Sequence, residues 1–227
     1  MIITRNGTKR WQVGRVLHRD DGPAIIWPDG TQSWRLDDLL HREDGPAVIC
    51  PDGRQEWWAH GSLHREGGPA ICASNGAKEW FRHDNRHRVD GPAIMWADGT
   101  QEWWLDGKLH RKDGPAIIYA DGEQEWWLYD KRHRADGPAV ICKDGAKQWH
   151  VNGKRHRADG PAVIRADGYK AWYIHGKQHR EDGPAVIHAD GSQEWWANST
   201  RYLNINEWAK AINMDQETFL FLKLQYG

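Results

Sequence analysis

A spacing of 23 residues governs this chain: the segment His-Arg-x-Asp-Gly-Pro-Ala starts at His18, His41, His64, His87, His110, His133, His156 and His179, with Gly67 in place of the Asp in the third copy. A Trp follows each of these histidines by 16 residues, at Trp34, Trp57, Trp80, Trp103, Trp126, Trp149, Trp172 and Trp195, and Trp11 stands one period before Trp34. No insertion or deletion breaks the register. Such a chain folds as a stack of equivalent units, each burying surface against its neighbours, and not around one central core.

With each His as position 1, positions 6 to 10 read Pro-Ala-Ile-Ile-Trp at Pro23 to Trp27, and positions 15 to 19 read Gln-Glu-Trp-Trp-Leu at Gln101 to Leu105. Both are short runs of β-branched and aromatic residues, the composition of strands. Between them lies Asx-Gly, from Asp29-Gly30 to Asp190-Gly191, which tolerates the positive φ of tight primed turns. One repeat therefore predicts one β-hairpin. A two-residue turn there places positions 8, 10, 15, 17 and 19 on one face and 7, 9, 16 and 18 on the other, with the fixed Trp beside Ile or Val; a three-residue turn regroups them.

The link to the next hairpin, such as Asp106 to Gly114, is longer and ends on Pro115, which has no backbone donor to offer a strand. Repetition gives an all-β fold, an elongated antiparallel β-hairpin meander of about sixteen strands, read as an eight-repeat β domain over residues 1–199. Residues 200–227 change character: Asn206 to Ile212 reads as a helix from an Asn cap, and Asp215 to Leu220 as the capped start of a second. A short helical C-terminal cap covering the last hairpin is expected, since an open sheet end invites unwanted pairing; a docking helix is the alternative.

The unit, for example Trp104-Leu105-Asp106-Gly107-Lys108-Leu109-His110 followed by Asp121-Gly122, resembles the MORN repeat, over about four fifths of the chain. The resemblance implies a solenoid of β-hairpins of about 23 residues each, acting as a scaffold for protein contacts, with lipid contacts sometimes proposed and no catalytic residues to carry over. The chain departs from it in having His-Arg-x-Asp-Gly-Pro-Ala where MORN units usually have His-Gly-x-Gly.

Composition narrows function. The 31 Lys and Arg against 32 Asp and Glu give none of the long-range field of a general nucleic-acid binder. Three cysteines, Cys50, Cys72 and Cys142, lie in apolar runs without paired spacing, which argues for reduced thiols. No apolar run has the length of a signal peptide or a membrane span, so a cytoplasmic protein without a transmembrane segment is expected.

Equivalent histidines sit a repeat apart, roughly 9 to 10 Å in such a sheet, and zinc needs nitrogens within about 2.1 Å of one ion, so no metal site is expected. His60 with His64, His83 with His87 and His175 with His179 are closer in sequence but lie in turns without further ligands. No unrepeated nucleophile with base and orienter appears, and the glycines punctuate hairpins and do not form a phosphate loop, so neither enzyme nor cofactor is expected. The periodic His, Arg and Asp read first as turn bracing, as with Asp113, His110 and Arg111.

Fixed positions hold a stack, whereas variable positions are free to recognise something. Position 18 reads Arg35, Trp58, Phe81, Trp104, Trp127, His150, Tyr173 and Trp196, and position 10 varies likewise. Either position 18 packs against position 7 or 9, or it forms an exposed aromatic strip of the kind that anchors protein interfaces. On the second reading Trp58, Phe81, Trp104, Trp127, Tyr173 and Trp196 bind a protein partner, with Trp58 to Trp127 the preferred surface. A second reading has Trp stacking on a small nucleotide whose phosphates pair with Arg65, Arg88, Arg111 and Arg134; single-stranded nucleic acid is a third, which the near-zero net charge opposes.

Overall fold

A computed structural model describes residues 1–226, which form antiparallel β-structure throughout the repeats and two short helices after them. It comprises two compact units, Met1–His110 and Arg111–Gly227, and the repeat takes the same conformation in both.

Within every repeat, position 8 pairs with position 16 and position 9 with position 15, as in Ile25 with Ser33 and Ile26 with Gln32. The same second strand then pairs with the first strand of the following repeat, Ser33 with Val48 and Gln148 with Val163, so each unit carries an antiparallel meander. In the first unit the meander begins before the repeats, where Ile2–Ile3 pairs with Lys9–Arg10 and that strand with Ile25–Ile26.

This register corrects the expected two-residue turn. Position 10 donates its N–H to the carbonyl of position 14, and Gly at position 13 donates to the carbonyl of position 10 (Trp27, Thr31 and Gly30 in the first repeat). The loop therefore has three residues and closes on a left-handed glycine, with φ of 91° at Gly30 and 93° at Gly168. The position 12 side chain accepts the N–H of position 14, as Asp29 does from Thr31 and Asp190 from Ser192, and this Asx bond holds the loop.

The primed turn exists, but elsewhere. Positions 18 and 19 pair with 23 and 22 in a second small hairpin, for example Trp58 with Leu63, so the long link is itself folded. Both of its turn residues have positive φ in all eight repeats, from Asp37 and Asp38 to Asn198 and Ser199. Tyr129, at φ 49°, shows that stacking imposes this geometry even where the side chain resists it. Successive hairpins are joined by backbone bonds from position 21 to the carbonyl of position 23 one repeat earlier, as from Gly61 to Leu40 and from Gly153 to Arg132.

The shifted register also regroups the faces: positions 8, 10, 16 and 18 now share a side, and the fixed Trp at position 17 lies on the other. Ala at position 7 is wholly buried in all eight repeats, which leaves no room for a larger residue. The motif surrounds the Trp. Arg42 lies 4.2 Å over the Trp34 ring, its Nε donates to Asp44 at 2.8 Å, and its Nη1 donates to the Pro46 carbonyl at 3.4 Å. A Cβ on Gly45 would stand 3.0 Å from the Arg42 Cζ, so glycine is required there by the guanidinium above it. The same sandwich recurs at Arg19, Arg88, Arg134, Arg157 and Arg180. Arg65 keeps the ring contact with Trp57 and the bond to Pro69 without the Asp, whose place Gly67 takes.

The turn-bracing role of the histidine takes a definite form at His41, His87, His133, His156 and His179: Nδ1 accepts the N–H of position 20 in the same repeat, at 3.2 Å from His60 to His41 and 3.1 Å from Asn152 to His133. Where position 20 is also His, the two rings stack, His41 on His60 at 4.3 Å, His64 on His83 at 4.4 Å and His156 on His175 at 4.5 Å. Each turn histidine thus stacks on the histidine that opens its own repeat, 19 residues earlier, and not on the one four residues later.

Helix α1 spans Ile205–Ala211 and starts at Asn204, whose side chain accepts the N–H groups of Asn206 and Glu207; the expected cap at Asn206 is two residues late. Helix α2 spans Gln216–Tyr226, with Asp215 capping through the N–H and hydroxyl of Thr218. Trp195 has no following repeat to supply an Arg. Trp208 of α1 packs on it with ring centroids 4.6 Å apart, and Ile205, Ala209 and Leu222 complete this cluster. No helix among the described residues is long and apolar enough to cross a membrane.

Candidate partner-binding faces

Position 18 is carried by the first strand of the small hairpin, immediately after the fixed Trp, so each copy projects from an element braced by its neighbours. It packs beside positions 10 and 16, which corrects the alternative that set it against position 7 or 9. Trp58, Phe81, Trp104, Trp127, Tyr173 and Trp196 are all half-buried, and His150 is buried.

The polar partner of these rings is the residue at position 16. The indole of Trp58 donates to Glu56 at 2.8 Å, Trp104 to Glu102 at 2.8 Å, Trp127 to Glu125 at 2.7 Å and Trp196 to Glu194 at 2.8 Å. Glu102 also takes the indole N–H of Trp96 from position 10 at 2.7 Å. Arginine at position 23 closes the set: Arg86 and Arg132 bind Glu79 and Glu125 at 3.0 and 2.7 Å. Arg86 also stands between Phe81 and Trp104, 5.7 and 5.4 Å from their centroids. Burial raises the Glu194 carboxyl, but the Trp196 indole, His188 and Arg201 together hold it below the ordinary glutamate value.

In the first unit, then, Trp58, Phe81, Trp104 and Trp96 form a strip of rings, the three indoles oriented by buried or half-buried carboxylates and Phe81 beside Arg86, with Trp96 the most open at 40% exposure. In the second, Trp127, Tyr173 and Trp196 form another. Position 18 stands out in the sequence without its supports at positions 16 and 23; the signal available for them is that Glu at 16 accompanies every Trp at 18. His150 follows the same logic, for its repeat carries Gln148 at position 16, 3.4 Å from the imidazole Nε2.

Burial, assisted by Arg132 and Arg155, lowers the pKa of His150 from 6.5 to about 4. Between those values the unfolded chain binds a proton that the folded chain refuses, so stability is full above pH 6.5, falls as the pH drops towards 4 and then levels off. The loss amounts to about 3 kcal/mol at most. Urea unfolding between pH 7 and 4 should show this slope, and His150→Tyr, which copies the seventh repeat, should remove it.

The four arginines proposed for phosphate are engaged. Arg65, Arg88 and Arg134 lie over Trp57, Trp80 and Trp126 at 3.8 to 4.2 Å, and these three and Arg111 donate to the Pro carbonyls of their motifs. Arg88 and Arg134 further bind Asp90 and Asp136, and the arginine N–H holds both carboxyls below the usual aspartate range. Cys50, Cys72 and Cys142 are free thiols, and burial pushes those of Cys50 and Cys142 up, away from the reactive thiolate. Among the described residues no three His, Cys, Asp or Glu side chains converge as metal ligands. No protein-family profile matches the chain, and no curated protein does.

Proposed function

We propose that the chain is a non-enzymatic scaffold of MORN-like repeats that binds a protein partner through the ring strips at position 18. The observation that carries this reading is the orientation of the rings. In four repeats the indole N–H at position 18 is tied to the carboxylate at position 16, leaving a half-buried ring fixed in place. Rigid aromatic groups flanked by Arg and Glu lose little entropy on contact, which is the property of interface anchors. The rings vary between repeats while the Arg–Trp sandwich does not, so the stack is separate from what it can recognise. The nucleotide reading is weaker, because the arginines it needs already hold the repeats together.

The test is recovery of the tagged chain from producing cells and native mass spectrometry beside the triple variant Trp58→Ser, Trp104→Ser and Trp127→Ser. A stoichiometric protein present with the parent chain and lost with the folded variant is the expected result. A small-molecule mass without a protein, or undiminished partner retention by the variant, overturns it.

A further inference from the structure

Four repeats carry arginine at position 23, and three of these arginines have a carboxylate to bind. Arg86 binds Glu79, Arg132 binds Glu125 and Arg201 binds Glu194 at 3.2 Å. Arg155 faces an amide instead, with Gln148 Oε1 at 3.5 Å. One repeat later position 16 is Ala171, so the row of carboxylates is interrupted over two consecutive repeats. At the same place position 10 becomes Arg165, which stacks 4.3 Å over Tyr169, while Arg155 stands 5.4 Å from the Tyr173 ring. Among the described residues neither guanidinium has a carboxylate within 4 Å.

These groups line one recess of about 510 Å³, within the second unit, formed by Gln148, Arg155, Arg165, Tyr169 and Tyr173 over a floor of Val163. Asp144 and Asp167 stand on its rim, each with one oxygen accepting a turn N–H, from Ala146 and Tyr169. The other three arginines at position 23 are neutralised by a carboxylate at position 16. Here two arginines keep their charge beside two phenol rings, a pairing suited to a planar group ending in an oxyanion.

We infer that this recess binds an oxyanion on an aromatic stem, with the charged group between Arg155 and Arg165 and the ring against Tyr173. The inference deepens the scaffold reading by naming the chemistry of one contact, and it rests on this face being a recognition surface.

Phenyl phosphate is the probe, followed by amide chemical shifts on the full chain. Saturable shifts at Ala146, Gln148, Arg165 and Tyr169 with millimolar affinity are expected, with weaker binding of inorganic phosphate and none of phenol. Gln148→Glu supplies Arg155 with the partner its counterparts have, a pair the stack already accommodates at Glu125 and Arg132, so the fold should be retained while binding falls at least tenfold; Arg165→Gln should act in the same direction. Absence of saturable shifts, equal binding of phenol, or unchanged affinity in Gln148→Glu overturns the inference. Binding is read on the purified chain, so it stands or falls apart from partner retention. If a partner is found, its displacement by phenyl phosphate assigns the oxyanion to that partner, and its retention assigns it to a free small molecule.

Discussion

Replacement of Trp208 by Ala should be the most damaging single change in the second unit, lowering its stability by about 3–5 kcal/mol, the cost of emptying a buried Trp site. Trp208 is wholly buried and lies 4.6 Å from Trp195, the last copy of the fixed Trp. Every earlier copy whose contacts are described is covered by the arginine of the repeat that follows. The equivalent of that arginine after Trp195 is Leu203, which is 89% exposed and covers nothing. Helix α1 therefore does for the last repeat what the next repeat does for the others, and without it the Trp195 face meets water. Urea unfolding followed by tryptophan fluorescence should show a lowered first transition in Trp208→Ala and a smaller shift in Trp208→Phe. An Ala variant as stable as the parent would mean that the cap is dispensable. Lys210→Ala, on the exposed side of the same helix, should change stability by no more than about 0.5 kcal/mol.

Architecture was legible in the sequence because repetition multiplies weak signals. One Asx-Gly between two apolar runs suggests a hairpin, and eight in strict register leave few other folds. The turn type was not read correctly, because two dipeptides in each unit compete for the tight turn. Positions 20 and 21 read Asp-Gly in one repeat but His-Asp, Tyr-Asp or Asn-Ser in others, which disguised the real primed turn. The deciding signal lay in Pro28 and Pro51 at position 11. A fixed φ near −65° suits the second residue of a four-residue turn, whereas a two-residue loop would put those prolines into a strand without donors. The one-residue shift then moved every face assignment downstream of it.

The candidate site was legible in part for the same reason. Variation between copies pointed to position 18, but variation cannot say which polar groups hold a ring in place. Positions 16 and 18 share a side in either register, so the Glu supports could be read from the sequence; only the three-residue loop adds position 10, and with it Trp96, to that side. The arginine of the motif reads first as bracing, with phosphate binding as the alternative, and Arg42 between Trp34 and Gly45 makes that bracing a contact between repeats, which periodicity alone does not specify. Helix α1 was found from its apolar pattern, but its cap was placed on Asn206 because Asn204 and Asn206 are both suitable caps and only the docking of Ile205 selects the first.

The glycine at position 5 provides the sharpest check on this account of the motif. In Gly91→Ala the new Cβ would lie 2.9 Å from the Arg88 Cζ, closer than non-bonded atoms approach, so the guanidinium must leave. Nothing about the backbone forbids alanine there, because Gly91 has no positive φ. The whole effect must come from what Arg88 gives up: the Trp80 ring at 4.2 Å, the Asp90 carboxylate at 3.0 Å and the Pro92 carbonyl at 3.2 Å. Ring contact and two hydrogen bonds of this kind together are worth about 2–3 kcal/mol. The same substitution at Gly68 should cost less, since Arg65 has no aspartate to lose. The decisive comparison is a double-mutant cycle. With Arg88→Ala already made there is nothing left to displace, and adding Gly91→Ala should then change stability by less than about 0.5 kcal/mol. If Gly91→Ala costs as much in that background as in the parent, the glycine serves the backbone, and the periodic arginine is not what fixes it in the repeat.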